Sequence, residues 1–303
     1  MTLRHWIMIV LTAGLFGSSF LFIKIALADI PPMTIAAGRA GIAALIIGLF
    51  AWSTGVRLPA SARDWRVLGI VGCLTAAIPY AATAAGQAWI DSSLGGILFA
   101  TIPLFTVFLA PLFLADERFT LWRVTGALTG LGGVAIVMGP QAAAGLQTQM
   151  LGALITLAAA ASYAAGGIFT RANPQIAPPV MATGQLIVAA PLLASLSAGI
   201  DAPWTLTPSA TSLWSLGALG LVSTAFPVLL FFRLVHEVGA TRTSLLTFFI
   251  PVFAVLLGTG LLGEAPGFYA FAGLALIIGG AALISRRVRT RSVHPGQTAK
   301  LPL

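Results

Sequence analysis

The 303-residue chain is 58 % hydrophobic, carries charge on 8 % of its residues and has a mean hydropathy of +0.99. Soluble globular domains place charge on about a quarter of their residues, so that class is excluded and the chain reads as an all-α polytopic membrane protein. A formal charge of +8 would suit nucleic acid if it formed one patch, but its distribution along the chain excludes that partner.

A span needs about 20 apolar residues to cross roughly 30 Å of hydrocarbon. Ten segments qualify, near 6–27, 33–52, 66–87, 93–115, 120–139, 149–170, 177–199, 211–235, 242–262 and 267–285, joined by connections too short for a soluble domain. Fourteen of the 16 basic residues fall at one set of segment ends: Arg4, Arg57, Arg63, Arg66, Arg118, Arg123, Arg171, Arg233, Arg242, Arg286, Arg287, Arg289, Arg291 and Lys300. The opposite connections hold Asp29, Asp91, Asp201 and Glu264 and no Lys or Arg. This positive-inside pattern predicts a multi-pass protein of the inner membrane with both termini in the cytoplasm. The basic tail, 287–303, reads as a topology anchor beside anionic lipid.

All seven Trp (Trp6, Trp52, Trp65, Trp89, Trp122, Trp204 and Trp214) lie at or near segment ends, as an interfacial belt requires. The single Cys73 allows neither an intrachain disulfide nor a cysteine metal cluster. Ala26-Leu27-Ala28 before Asp29 resembles a signal-peptidase site. Cleavage there would remove the first span and spoil the repeat that follows, so the span is retained.

The sequence from Ile102, IPLFTVFLAPLFLADE, returns from Ile250 as IPVFAVLLGTGLLGEA at an offset of 148 residues. Phe16–Lys24 (FGSSFLFIK) returns as Tyr163–Arg171 (YAAGGIFTR), and Pro31-Pro32 as Pro178-Pro179, both at an offset of 147. Leu68, Gly69, Gly72, Ala77 and Pro79 match Leu216, Gly217, Gly220, Ala225 and Pro227. Gly126, Gly132 and Gly133 match Gly273, Gly279 and Gly280. Ordered matches at nearly one offset mark an internal repeat, with a first half over 1–140 and a second over 148–286. Five spans per half is an odd number, so the second half must enter the bilayer inverted. Ten helices as two inverted five-helix repeats is an architecture of secondary transporters.

Phe16-Gly17-Ser18-Ser19-Phe20, the Pro-Pro before a span with Arg39, and the Ile-Pro-Leu-Phe segment before Asp116-Glu117 resemble the drug/metabolite transporter superfamily. Within it the chain is similar to EamA-type exporters, and among those to the bacterial YddG amino-acid exporters. The resemblance implies that spans 1–4 and 6–9 surround a central cavity, with spans 5 and 10 outside it. It also implies export of amino acids, aromatic or otherwise neutral, by alternating access. Two rivals are an antiporter of phosphorylated metabolites or nucleotide sugars on the same fold, and a membrane enzyme or sensory scaffold.

Four mid-span prolines, Pro79, Pro103, Pro227 and Pro251, form two repeat-related pairs and are expected to kink spans 3, 4, 8 and 9. Tyr80, Thr83 and Gln87 share one helix face, where their repeat mates are Val228, Phe231 and Val235. Ser244, Thr247, Phe248 and Pro251 form a second polar face, and Ser18, Ser19, Tyr163 and Gln185 are further cavity candidates. Such hydroxyls also bond back to their own helices. Lys24 and Arg39 are the basic residues within spans and the candidate partners of a substrate carboxylate; alternatively they snorkel or pair with Asp29. No Asp or Glu sits deep in a predicted span and no phosphate-binding Gly-Lys loop occurs, so neither a carboxylate proton relay nor an ATPase is implied. His5, His236 and His294 all lie on the cytoplasmic side, and no cofactor or metal is expected.

Overall fold

Hydrocarbon offers no partners for backbone polar groups, so each crossing must satisfy its own hydrogen bonds. The computed structural model does this with helices alone. It describes residues 2–114, 117, 119–243 and 245–284, apart from the side chains of Gln141, Ala142, Phe232, Ala240 and Thr241, and no strand occurs among them. Ser244, Asp116, Arg118 and the predicted basic tail lie outside the described residues.

Among the described residues eight stretches are long and apolar enough to cross a membrane. They are α1 (Leu3–Ala26), α2 (Pro32–Ser53), the interrupted pair α3 (Ala62–Gly72) and α4 (Ile78–Gln87), and the broken pair α5 (Ser92–Phe99) and α6 (Ile102–Phe113). Then follow α7 (Leu121–Ala143), α8 (Gln147–Arg171), α9 (Pro178–Ile200) and the interrupted pair α10 (Ala210–Gly220) and α11 (Phe226–Val238). A four-residue α12 (Ala240–Thr243) precedes α13 (Leu246–Leu262) and α14 (Phe268–Ile284), each of 17 residues. At a rise of 1.5 Å per residue these last two are about 25 Å long. The predicted segment 242–262 is therefore not one continuous helix.

Proline shapes the spans, though not uniformly as expected. Cys73–Ala77 and Leu221–Ala225 each form one π-helical turn, two residues before Pro79 and Pro227. A proline lacks the N–H that would close the preceding turn, and the chain widens there by one residue per turn. Pro103 follows a break at Ala100-Thr101. Pro251 instead sits inside a continuous α13, and the break in that segment falls earlier, at Leu245. Pro111, Pro140 and Pro191, not among the expected kinks, also lie inside helices.

The surface is that of a bundle solvated by lipid: Leu45 is 64 % exposed, Leu112 70 % and Trp214 80 %. The interior is built where small residues meet branched ones, as where Ala36, Ala40 and Ala43 of α2 pack with Leu186, Ala189 and Leu193 of α9. These helices run antiparallel, since Thr34 near the start of α2 bonds Ser197 and Asp201 at the end of α9. Helices α7 and α14 are antiparallel too. A Cβ on Gly126 would stand 2.6 Å from the Gly280 carbonyl, and one on Gly133 2.7 Å from that of Gly273. One further contact occurs twice with the partners exchanged: Gly38 of α2 lies under Leu216 of α10, and Gly184 of α9 under Leu68 of α3.

At one end of the bundle three carboxylates receive hydrogen bonds from helix starts in the other half of the chain. Asp29 accepts from Ser209 and Ser212, Asp201 from Thr34, and Glu264 from Ser92 and Ser93. Anions are favoured there by the unsatisfied N–H groups and the helix dipole. At the opposite end Arg4 pairs with Glu237, and Arg171 and Arg123 with Glu117.

Burial pushes the Glu264 carboxyl up, but hydrogen bonds from Ser93 and Ser92 outweigh it and hold the group below its ordinary 4.5. A depressed carboxylate stabilises the fold fully above its unfolded pKa, and the contribution is lost as pH falls through the folded value. Glu264→Gln is therefore expected to lower the melting temperature at pH 7, by an amount corresponding to roughly 0.5–2 kcal/mol for a lost helix cap. The gap to the parent should narrow as pH falls below 4.5. A gap that persists unchanged at pH 3 would show that the charge is not what Ser92 and Ser93 recognise.

Candidate substrate cavity

Between the two sets of end contacts lies a cavity of about 250 Å³, smaller than the roughly 300–1,000 Å³ typical of drug-sized ligands. Its walls come from α1, α2, α4, α5, α6, α8, α9, α11, α12 and α13, together with Thr75 of the first π turn. Helices α7 and α14 contribute no lining residue, as the resemblance implied for spans 5 and 10.

The lining follows the repeat. Phe16 and Tyr163, Arg39 and Leu186, Tyr80 and Val228, Thr83 and Phe231, Phe99 and Thr247, and Pro103 and Pro251 are mates at an offset of 147 or 148, and both members of each pair line the cavity. The space thus straddles the relation between the halves. Its two walls differ chemically, because Arg39 and Tyr80 face a half that supplies Leu186 and Val228 in their place.

Arg39 is 9 % exposed. Its Nε donates to Thr224 Oγ1 at 2.9 Å, and its Cζ lies 4.0 Å from the Tyr80 ring centroid, a cation–π stack. Thr224 belongs to the second π turn and itself donates to Leu219 O at 2.7 Å, so the widened turn is what carries the anchor for the guanidinium. Phe20, Phe99 and Tyr163 form an edge-to-face series with centroids 5.8 and 5.7 Å apart. Thr75 bonds the Gln185 side chain at 2.5 Å. Together these offer one cation and a neutral polar wall against aromatic and aliphatic surface.

Of the residues singled out in the sequence, Tyr80, Thr83, Ser19, Tyr163, Gln185, Thr247 and Arg39 line this cavity, with Pro79, Pro103 and Pro251. Gln87 does not. It stands seven residues beyond Tyr80, about 10 Å further along the helix axis, where it is fully buried beside Gly95. Ser18 bonds Ser223 at 2.7 Å and ties α1 to the second π turn. Neither Phe248 nor Pro227 reaches the lining, and Ser244 lies outside the described residues. Lys24 is held elsewhere: its ammonium donates to Gln87 O at 3.1 Å and Ile90 O at 2.8 Å, at the carbonyl end of α4. It does not pair with Asp29, which is engaged by Ser209 and Ser212.

Phe16, Phe20, Thr75, Phe99, Ile102 and Thr243 line the cavity without having been named as cavity candidates. The repeat offset was the signal for several of them, since Phe16 is the mate of Tyr163 and Phe99 that of Thr247.

The Gln87 amide oxygen and nitrogen are buried without hydrogen-bond partners. An unsatisfied buried group costs about 1–3 kcal/mol, so Gln87→Met, of similar volume, is expected to raise the melting temperature and leave transport within twofold. Loss of transport in a stabilised variant would assign the amide a role in another conformation.

An antiparallel helical bundle with a small central cavity, lined from both halves, is the form of a membrane carrier. The chain belongs to the EamA-like transporter family, whose model matches residues 4–139 and again 150–286; it is a multi-pass membrane transporter. It is 28 % identical over 300 residues to a probable terminal-alkyne amino-acid exporter of Streptantibioticus cattleyicolor, covering 95 % of this chain and 97 % of that one. It is 27 % identical over 277 residues to the uncharacterized inner membrane transporter YedA of Escherichia coli, covering 89 % and 87 %. A solved crystal structure superposes with a TM-score of 0.66 over 91 % of this chain and 96 % of the other, at 24 % identity, a likeness of fold.

Proposed function

We propose that the protein is a secondary transporter or facilitator that exports small metabolites across the inner membrane, with amino acids bearing aromatic or other neutral side chains as the first substrate class. The reading takes the molecule as ten spans in two inverted halves with both termini in the cytoplasm. The observation that carries it is the cavity lined by repeat mates, Arg39 with Leu186 and Tyr80 with Val228 among them. The antiparallel crossings of α2 with α9 and of α7 with α14 support the inversion, as do the two successive matches of the family model. The amino-acid class is supported by the Streptantibioticus relative, a probable terminal-alkyne amino-acid exporter.

Two similar bundles of opposite orientation give one pathway two nearly equivalent states, one open to each side. A substrate entering from the cytoplasm lays its apolar part on Phe20, Phe99 and Phe231 and its carboxylate toward Arg39. Passage then requires the Arg4–Glu237 and Arg171–Glu117 contacts to form while those of Asp29, Asp201 and Glu264 open, and the reverse on return. The π turns and the breaks at Ala100-Thr101 and before Leu246 are where half-helices tilt. Among the described residues no carboxylate lines the cavity, which supports uncoupled transport down the substrate gradient. A phosphate ester carries more charge than the single lining cation matches, which disfavours the sugar-nucleotide reading.

Counterflow in proteoliposomes tests this. Vesicles loaded with unlabelled phenylalanine are expected to accumulate external label equally with and without a proton gradient. Strict dependence on that gradient would overturn uncoupled transport. Failure of every neutral amino acid would overturn the substrate class.

A further inference from the structure

A buried guanidinium without a counter-charge is expensive. Arg39 meets that cost only in part, through Thr224 and the face of Tyr80, and no carboxylate among the described residues lies within ion-pair distance of it. Five of the described acidic side chains are instead held toward the two ends of the bundle, Asp29, Asp201 and Glu264 at one and Glu117 and Glu237 at the other. The cavity therefore presents net positive charge to whatever occupies it.

A zwitterionic amino acid brings two charges into that space. Its carboxylate suits Arg39, but its ammonium meets no anion in the lining and stands within a few ångströms of a like charge. At Leu186, the repeat mate of Arg39, where a second charged group could have completed a zwitterion site, the cavity is aliphatic.

We infer that the cavity recognises the carboxylate of a small amphipathic monoanion and makes no use of an α-ammonium group, so that its substrates include 2-oxo acids and N-acylated amino acids with apolar side chains. This inference rests on the transport reading above and carries its substrate class beyond free amino acids. The planar guanidinium forms paired hydrogen bonds with a carboxylate, while the stack on Tyr80 fixes its plane. The opposite wall of Leu186, Val228 and Phe231 takes the apolar group. A neutralised amine, as in an amide, removes the repulsion and retains both contacts.

The test uses the wild-type full chain in proteoliposomes and four probes with one side chain: phenylalanine, N-acetylphenylalanine, phenylpyruvate and phenethylamine. Each is measured for counterflow against itself, with protein-free liposomes as the background. Phenylpyruvate and N-acetylphenylalanine are expected to exchange at least as fast as phenylalanine, with phenethylamine at background. Exchange of phenylalanine faster than both anions, or any exchange of phenethylamine, would overturn the inference while leaving the transporter reading intact. Background rates for all four would overturn the inference together with the aromatic substrate class proposed above.

Discussion

Arg39→Met is expected to leave the bundle folded and at least as heat-stable as the parent, while lowering carboxylate transport about a hundredfold. Both halves of that expectation follow from one environment. Arg39 is 9 % exposed at membrane depth, with one hydrogen bond to Thr224 and one aromatic face as its described partners. Replacing buried charge by a well-packed apolar side chain is often neutral or stabilising by about 1–4 kcal/mol. A charge-assisted bond to a bound carboxylate contributes about 1.5–3 kcal/mol, and a loss near the upper end of that range is about a hundredfold in affinity. Arg39→Lys should fall between, since an ammonium keeps the charge but loses the planar stack and the paired donors. Melting curves of the purified variants, read beside counterflow rates, check the two parts separately. Parental transport by Arg39→Met would remove Arg39 from the site.

Gly133→Leu is expected to destabilise the bundle strongly, while its neighbour Gly132→Leu is tolerated. A Cβ at Gly133 would meet the Gly273 carbonyl at 2.7 Å and Ile277 at 3.0 Å, whereas one at Gly132 meets nothing within 4 Å. The obstacle at Gly133 is backbone, which cannot rotate away, so α7 and α14 must move apart. Overpacking of this kind costs typically about 1–3 kcal/mol and occasionally more. At Gly132 the new side chain points into open space and gains up to about 1 kcal/mol of helix propensity. The measurement is the difference in melting temperature between the two variants. Equal effects would contradict the antiparallel Gly–Gly crossing.

That contrast also marks how far the sequence could be read. Gly132 and Gly133 both recur in the second half, as Gly279 and Gly280, and a repeat alone treats them alike. Only the crossing shows that Gly126, Gly133, Gly273 and Gly280 are in contact and the other two are not. The apolar spans and the offset near 148 were legible, because burial in hydrocarbon and duplication both leave periodic marks along a chain. The same offset pointed to the cavity through Tyr80 with Val228 and Thr83 with Phe231.

What was not legible depended on distance through space. Gln87 shares a helix face with Tyr80, yet the cavity ends before it. Lys24 is spent on the carbonyls of Gln87 and Ile90, which are far from it in sequence. Pro251, the mate of Pro103, sits in an unbroken helix, so the same residue in the same repeat position does not impose the same kink. The π turns were invisible because a single widened turn leaves no trace in hydropathy.

The account depends on two oppositely oriented halves exposing one space to the two sides in turn. Site-directed labelling tests it most directly, in a Cys73→Ala background with Ser19→Cys as the reporter inside the cavity. Tethering the Asp29 end, by Asp29→Cys with Ser209→Cys and a short bismaleimide, should confine labelling of the reporter to reagent added on the cytoplasmic side. Tethering the opposite end, by Arg4→Cys with Glu237→Cys, should confine it to reagent added on the other side. Labelling from the same side under both tethers would contradict the account.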